Sequence, residues 1–451
     1  MKTRILRNLG IGAFSLALAL PFCNAQTPVG ATALSELSTL IGNTHAATTP
    51  GSAITLDEVE RIALAENPEI ALAARKVAAA ETHVPLAGAL DDPQAMYRGW
   101  QVPLSHPYDY NSAQNMFMLG QSFPGRGKRG LRTTIAQSDV DLAKDELEQA
   151  RLHVRVNARK AFFEMLHAQD EIRIHDQHVG IAQQAIEAAR IKYSVGKIPQ
   201  VEILKAQLAL TRLAEHMIRF DRDGEVARAH LNTLMGRQPA TPIEVQGDYA
   251  VNAPLPTLEA LLSVAMQARP DLAEALAAEA KSRKEQDLAK KAMVPDFSVS
   301  AGYMLMPSGQ SPRNNYMVEG SMTLPWLNRN KHEAEVKEAA ASTSEKDAEV
   351  TAIKAEALGQ IEESLAEARA AQRLARVYQD SLKPQADQTL HAAVVAYEND
   401  QTSFLDLLDS QMTVVDVDLA SVDALADFNM KMADLEMAVG APLTAREVRN
   451  D

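Results

Sequence analysis

The stretch TLDEVERIALAENPE (residues 55–69) returns as TLEALLSVAMQARPD (residues 257–271), and this return decides the architecture. Outward from it the correspondence holds at a nearly fixed spacing. Pro68 answers Pro270 and Pro93 answers Pro295, each 202 residues on; Phe123-Pro124 answers Leu324-Pro325, Tyr193 answers Tyr397, Gln207 answers Gln411 and Gly236 answers Gly440. So small a drift in spacing marks two copies of one structural unit, packed side by side to bury a shared core.

Each copy reads as helix, two strands, very long helix, turn and helix. In the first, a short helix runs from Leu56 to Pro68, where the missing amide donor and the clash of the ring with the preceding turn stop it. A second helical segment, Glu69–Leu90, carries Ile70, Ala73, Ala74, Val77 and Ala80 at three- and four-residue spacing. After Pro93 the pattern alternates, until Pro124-Gly125-Arg126-Gly127-Lys128-Arg129-Gly130 restores the helical one. From Leu131 to Tyr193 there is no proline, which allows one helix of about 60 residues and about 90 Å. Val195-Gly196-Lys197-Ile198-Pro199 then reverses the chain, and Gln200–Met235 is helical again. The second copy repeats the scheme with Asp271–Met293, His332–Tyr397 and Ser403–Val439. Segments 69–90 and 200–235, stacked end to end, match the long helix beside them. Helices of such length line up as a coiled-coil bundle or as the staves of a tube.

Composition agrees: 23% charged residues and 5% aromatics point to long helices. Residues 1–25 read as a signal peptide, with Lys2, Arg4 and Arg7 as its basic start, an apolar run Leu9–Leu20, and Cys23-Asn24-Ala25 as a small-x-small cleavage pattern. Cys23 offers a position for a lipid anchor, against which the bulky Phe22 argues. Cleavage after Ala25 removes the only cysteine, and with it disulfides and thiolate metal sites. It also takes the formal net charge from −14 to −17, which argues against a nucleic-acid partner. No later stretch is apolar enough for a transmembrane helix. Residues 26–53 read as a flexible N-terminal arm, followed by a first repeat over 54–247 and a second over 256–447.

The strand pairs, about 94–123 and 296–324, carry the membrane argument. The segments around them hold 10 of the 21 aromatics, including both tryptophans. Phe297, Val299, Ala301, Tyr303 and Leu305 alternate with Ser298, Ser300, Gly302 and Met304; Tyr316, Val318, Gly320, Met322 and Leu324 alternate with Met317, Glu319, Ser321 and Thr323. Strands of about ten residues, apolar on one face and polar on the other, suit a membrane β-barrel. Four strands close no barrel, and an open edge does not face lipid. Several chains must therefore pool their strands, and three chains supply twelve. A soluble β-hairpin capping a helical bundle is the plainer alternative.

The duplication, the Asn-Pro-Glu and Arg-Pro-Asp helix starts, the Phe-Pro-Gly-Arg-Gly-Lys and Leu-Pro-Trp-Leu-Asn-Arg-Asn-Lys knots, and Tyr-Ser-Val-Gly-Lys (193–197) together resemble the TolC-type outer-membrane efflux proteins over essentially all of 54–447. The form of the first knot resembles members that serve heavy-metal cation pumps. The resemblance implies a mainly α fold with a membrane β-barrel portion: a homotrimer with a shared twelve-stranded barrel in outer-membrane lipid and an α-helical tunnel into the periplasm. It implies a passive exit duct gated at its periplasmic end, with a periplasmic adaptor and an inner-membrane pump as partners. Two other readings stand beside it, a periplasmic coiled-coil adaptor or structural protein without a pore, and a duct for type I protein secretion.

The resemblance places adaptor-contact tips at the two helix reversals, with Tyr193, Val195, Gly196 and Lys197 in the first and Asp400 and Gln401 in the second. The family carries glycine in both turns; Asp400 stands in the second here. One turn further, Asp406 and Asp409 lie three residues apart on one helical face, where the family forms acidic rings at the narrow end of the tunnel. Glu202 matches a gate-locking carboxylate, to which Tyr397 is placed to donate its hydroxyl. Thr402 stands where the family has a gate-locking basic residue. On spacing alone, two such aspartates are a solvated face. Outside these positions, His175 and His178 read as solvated helix residues and the methionines, among them Met116, Met118, Met304 and Met306, as apolar filling. Lys128, Arg129 and Arg132 read as lipid-headgroup contacts or a solvated helix start. No catalytic motif and no cofactor-binding motif appears, so neither enzymatic activity nor a cofactor or resident metal is expected.

Overall fold

Asparagine and proline at 67 and 68 divide the first two helices of the computed structural model, which describes residues 53–443 apart from Tyr108 and Ala253. The signal segment, all but the end of the arm, Cys23 and residues 444–447 lie outside the described residues. Helix α1 is Leu56–Glu66 and α2 is Pro68–Ala87. Pro68 opens α2 at a position where no amide donor is needed, and the Asn67 side chain caps it by accepting from the Glu69 amide at 2.8 Å. Strands β1 (Gln94–Trp100) and β2 (Gln114–Phe123) follow, then α3 (Lys128–Ser194), whose 67 residues reach about 100 Å. Helix α4 (Gln200–Leu234) returns beside it. The second copy comprises α5 (Leu258–Ala268), α6 (Pro270–Lys291), β3 (Phe297–Leu305), β4 (Asn314–Met322), α7 (Arg329–Val377), α8 (Lys383–Glu398) and α9 (Phe404–Val439).

Here the second copy departs from the single helix expected over 332–397. A π-helical turn, Tyr378–Leu382, separates α7 from α8. Pro384 explains it: without an amide donor, and with its ring against the carbonyl four residues back, it disrupts the ordinary ladder, and a widened turn absorbs the mismatch.

The two repeats bury equivalent cores. Val59, Ala63, Phe162 and Leu231 anchor one and Leu261, Ala265, Ile361 and Leu435 the other, all nearly inaccessible; each large apolar side chain so buried removes about 1.5–3 kcal/mol of unfavourable exposure. Equivalent positions also close the ends of the returning helices with different chemistry. Asn67 Nδ2 donates to the Leu234 carbonyl at 2.9 Å, and Arg269 Nη1 donates to the Ala438 carbonyl at 2.7 Å. Gly440, at φ +83°, follows so closely that an added Cβ would fall 2.7 Å from the Arg269 Cα. Helix α3 is the hub, packing on α2, α4, α6 and α9, while α9 also packs on α7 and α8. Helices α4 at one side and α7–α8 at the other thus form the two flanks.

The four strands form one antiparallel sheet in the order β1-β2-β3-β4, which among the described residues leaves β1 and β4 with free edges. The register sorts residues by face. Tyr97, Phe117, Tyr303 and Tyr316 make one row straight across the sheet; Ala95, Leu119, Ala301 and Val318 make the next row on the same face. Phe117, Leu119, Tyr316 and Val318 are exposed, as a lipid-facing surface with an aromatic belt requires. Lys128 and Arg129 serve the junction between helices and sheet. Lys128, largely buried, places Nζ 2.8 Å from Asp296 Oδ1, and Arg129 donates to the Gly88 carbonyl, so neither is simply a solvated helix start.

Candidate pore and docking sites

The two tips are built alike. In the first, the Lys197 amide donates to the Lys192 carbonyl and the Gly196 amide to that of Tyr193, both at 2.9 Å. In the second, the Gln401 amide donates to the Ala396 carbonyl at 2.8 Å and the Asp400 amide to that of Tyr397 at 3.2 Å. Each is a helix-terminating motif that needs a left-handed residue, supplied by Gly196 at φ +71° and by Asp400 at φ +56°. Aspartate tolerates that region at a cost, and here its carboxylate is used as well. Lys192 Nζ lies 3.5 Å from Asp400 Oδ1 and 3.6 Å above the Tyr397 ring, and Lys197 Nζ lies 3.7 Å from Asp400 Oδ2. The two turns of one chain are therefore tied to each other. Lys192, the residue that does most of this, escaped the sequence reading; its carbonyl position at the start of the terminating motif was the available signal.

The proposed bond between Tyr397 and Glu202 is not formed. The Tyr397 hydroxyl and Glu202 Oε2 are both buried without a hydrogen-bond partner. The Tyr397 ring is committed elsewhere, under Lys192 on one side and 5.8 Å from the fully buried Phe404 ring on the other.

Asp406 is more than a solvated charge. It closes a capping box at the start of α9: its Oδ2 accepts from Ser403 Oγ (2.8 Å), the Ser403 amide (3.2 Å) and Thr402 Oγ1 (2.8 Å), while the Asp406 amide donates back to Ser403 Oγ at 3.1 Å. The hydrogen bonds from Ser403 and Thr402 hold its carboxyl below the usual range. Asp406 and Asp409 line a cleft of about 480 Å³ between α4 and α9, and Lys205 and Arg212 line the same cleft from α4. The acidic pair is thus matched by a basic pair. The duplication carried that signal, because Lys205 stands at the repeat position of Asp409 and Glu202 at that of Asp406.

Further along the helices, polar groups link the two repeats. Lys160 meets Asp434 at 2.7 Å, and Arg159 bridges Glu60 and Glu436 at 2.7 and 2.5 Å. His178, read as solvated, is buried between Asp418 (3.2 Å) and Gln411 (3.1 Å). His175, also read as solvated, is fully buried against Phe220 and His216. Their partners lie on different helices, and among the described residues no three His, Cys, Asp or Glu side chains are grouped to hold a metal ion. Glu171, 3.6 Å from His167, is pushed up to about 7 by burial and by the nearby Asp223 and Asp423.

With this geometry in place, comparison with known proteins is decisive. The profile of the Outer membrane efflux protein family matches residues 60–237 and again 261–441. The chain belongs to this family. As an outer-membrane efflux protein it is 26% identical, over 298 residues covering 64% of this chain and 68% of the relative, to the cobalt-zinc-cadmium resistance protein CzcC of Cupriavidus metallidurans. Its fold matches the MtrE outer-membrane channel of Neisseria gonorrhoeae in the open state (TM-score 0.72, 18% identity, 86% of this chain and 90% of that one). It also matches the CmeC outer-membrane channel of Campylobacter jejuni (TM-score 0.69, 17% identity, 94% of each chain). The family and fold are those of outer-membrane channels rather than enzymes, and the efflux protein resides in the outer membrane.

Proposed function

We propose that this chain is the exit duct of a tripartite efflux system, passively passing substrate from an inner-membrane pump and a periplasmic adaptor to the outside. Residues 1–25 serve as its export signal. Three chains pool their strands into a twelve-stranded barrel, and the helices of the two repeats form the tunnel below it. The observation that carries this reading is the sheet: four strands with a belted apolar face and two free edges, continuous with helices of up to 67 residues. The adaptor meets the tips at Tyr193, Val195, Gly196, Lys197, Asp400 and Gln401. The gate lies where Glu202, Tyr397, Asp406 and Asp409 gather near the same turns. Metal cations are the substrate class favoured by the likeness to CzcC and by the form of the first knot.

Charge neutralisation in the tip cleft tests the gate. In planar bilayers, Asp406→Asn with Asp409→Asn keeps the capping acceptor and should lower cation selectivity and relieve block by a trivalent cation. Lys205→Ala should act in the opposite direction, because it unmasks the same carboxylates. A protein that stays monomeric and soluble without detergent would overturn the duct itself; unchanged selectivity in both variants would overturn only the gate assignment.

A further inference from the structure

The face of the sheet opposite the aromatic belt is not simply polar. Rows two residues apart read Met96–Met118–Gly302–Met317 and Arg98–Met116–Met304–Asn315, so five thioethers from all four strands share one patch. Met96 faces Met118 directly, and Met116 faces Met304. Directly opposed residues on one sheet face have Cβ atoms about 4.5–5.5 Å apart, so paired side chains bring their sulfurs within reach of one ion.

Gly302 sharpens the arrangement. A Cβ there would fall 2.7 Å from Met118 Cγ, which means the Met118 side chain lies across the space that glycine leaves open, on the row that continues to Met317. Met116 and Met118 are 8% and 5% exposed, and among the described residues no helix or second sheet packs closely on the strands. If filling a core were their purpose, a facing layer would be expected, and none is formed among the described residues. Acidic side chains predominate around the patch, since Asp91, Asp92 and Glu319 line one hollow with Met96, Met118 and Arg98. Arg98, whose Nη2 sits 3.7 Å from Met96 Sδ, lies on one side, and Glu319, two residues from Met317, on the other.

We infer that this methionine patch binds a soft monovalent metal cation, Cu(I) or Ag(I), on the inner wall of the barrel. The chemistry is that of thioether ligands, which are neutral, polarizable and selective for such ions over borderline divalent ones. The placement on the inner wall rests on the channel reading above, whereas the binding rests on the sheet register alone.

Leucine separates binding from filling, because it preserves apolar volume and removes sulfur. Detergent-purified full-length protein, treated with N-ethylmaleimide to silence any thiol, is titrated with Ag(I) in chloride-free nitrate buffer by calorimetry. In parallel, bilayer conductance is recorded with and without Ag(I). The wild type should bind Ag(I) at the patch. Combined Met118→Leu, Met304→Leu and Met317→Leu should weaken that binding by at least about tenfold while leaving trimer level and Ag-free conductance unchanged. Zn(II) should not displace the ion. Equal Ag(I) binding by the wild type and the leucine variant, or none by the wild type, overturns the site. Binding lost in the variant by a protein that forms no channel would retain the site and refute the duct.

Discussion

Glu171→Gln offers the most quantitative probe of the helical body. The Glu171 side chain is only 15% exposed, and burial, reinforced by Asp223 and Asp423, lifts its carboxyl from 4.5 to about 7. Its neighbour His167 is pushed down by burial, which disfavours the imidazolium that would offset the cost. The sign follows from proton uptake. Between pH 4.5 and 7 the folded chain holds a proton that the unfolded chain has released, so rising pH works against the fold. The penalty is absent below the unfolded pKa, grows across the interval and is complete above 7. A difference of about 2.5 in pKa, at 1.36 kcal/mol for each, amounts to about 3 kcal/mol per chain. Glutamine keeps the shape and never ionises. Urea unfolding followed by helical circular dichroism, at pH 5, 6, 7 and 8, should show the variant gaining about 2–3 kcal/mol at pH 8 and little at pH 5. Taking variant minus wild type cancels the other titrating groups. A difference that stays constant across the series, or one that shrinks as pH rises, would refute the burial of an ionisable Glu171.

Other outcomes follow from the tips, the gate and the barrel wall. Asp400→Gly relieves about 1 kcal/mol of left-handed strain and removes two exposed ion pairs, each worth less than about 1 kcal/mol, so stability should stay nearly level. Untying Lys192 and Lys197 should nevertheless raise single-channel open probability at low salt and abolish its salt dependence; an unchanged open probability would mean the clasp has no part in gating. Gly196→Val places a β-branched residue at φ +71° with open space around it, so the penalty is conformational and local. Trimer level should hold while adaptor capture on a pull-down falls, and full capture would refute the tip assignment. The paired Asp406/Asp409 and Lys205 substitutions should move cation selectivity in opposite directions, and the methionine-to-leucine set should weaken Ag(I) binding at least about tenfold without altering conductance.

Periodicity and duplication are local properties of a chain, and on this protein they carried far. Two prolines 202 residues apart, a proline-free run ending at Tyr193 and strict alternation from Phe297 to Leu305 were enough to specify paired repeats, helices of unusual length and strands fit for lipid, because each reports how one segment satisfies its own backbone and buries its own face. The π-helical turn before Pro384 was also within reach, since a proline inside a long helix has to be accommodated somewhere. What only the tertiary structure decided are meetings between distant segments. Lys192 reaches Asp400 and the Tyr397 ring only because two reversals 204 residues apart come together, and Lys205 shares a cleft with Asp409 only because α4 and α9 run alongside one another at that end. Tyr397 was free to serve Glu202 as far as the sequence showed; packing against Phe404 and Lys192 directed its ring and left its hydroxyl unpaired. His175 and His178 read as solvated because helical spacing alone does not reveal which neighbours enclose a face. The methionines belonged to separate strands until the register set them in rows, since pairing between strands, and not any single stretch of chain, determines which side chains share a surface.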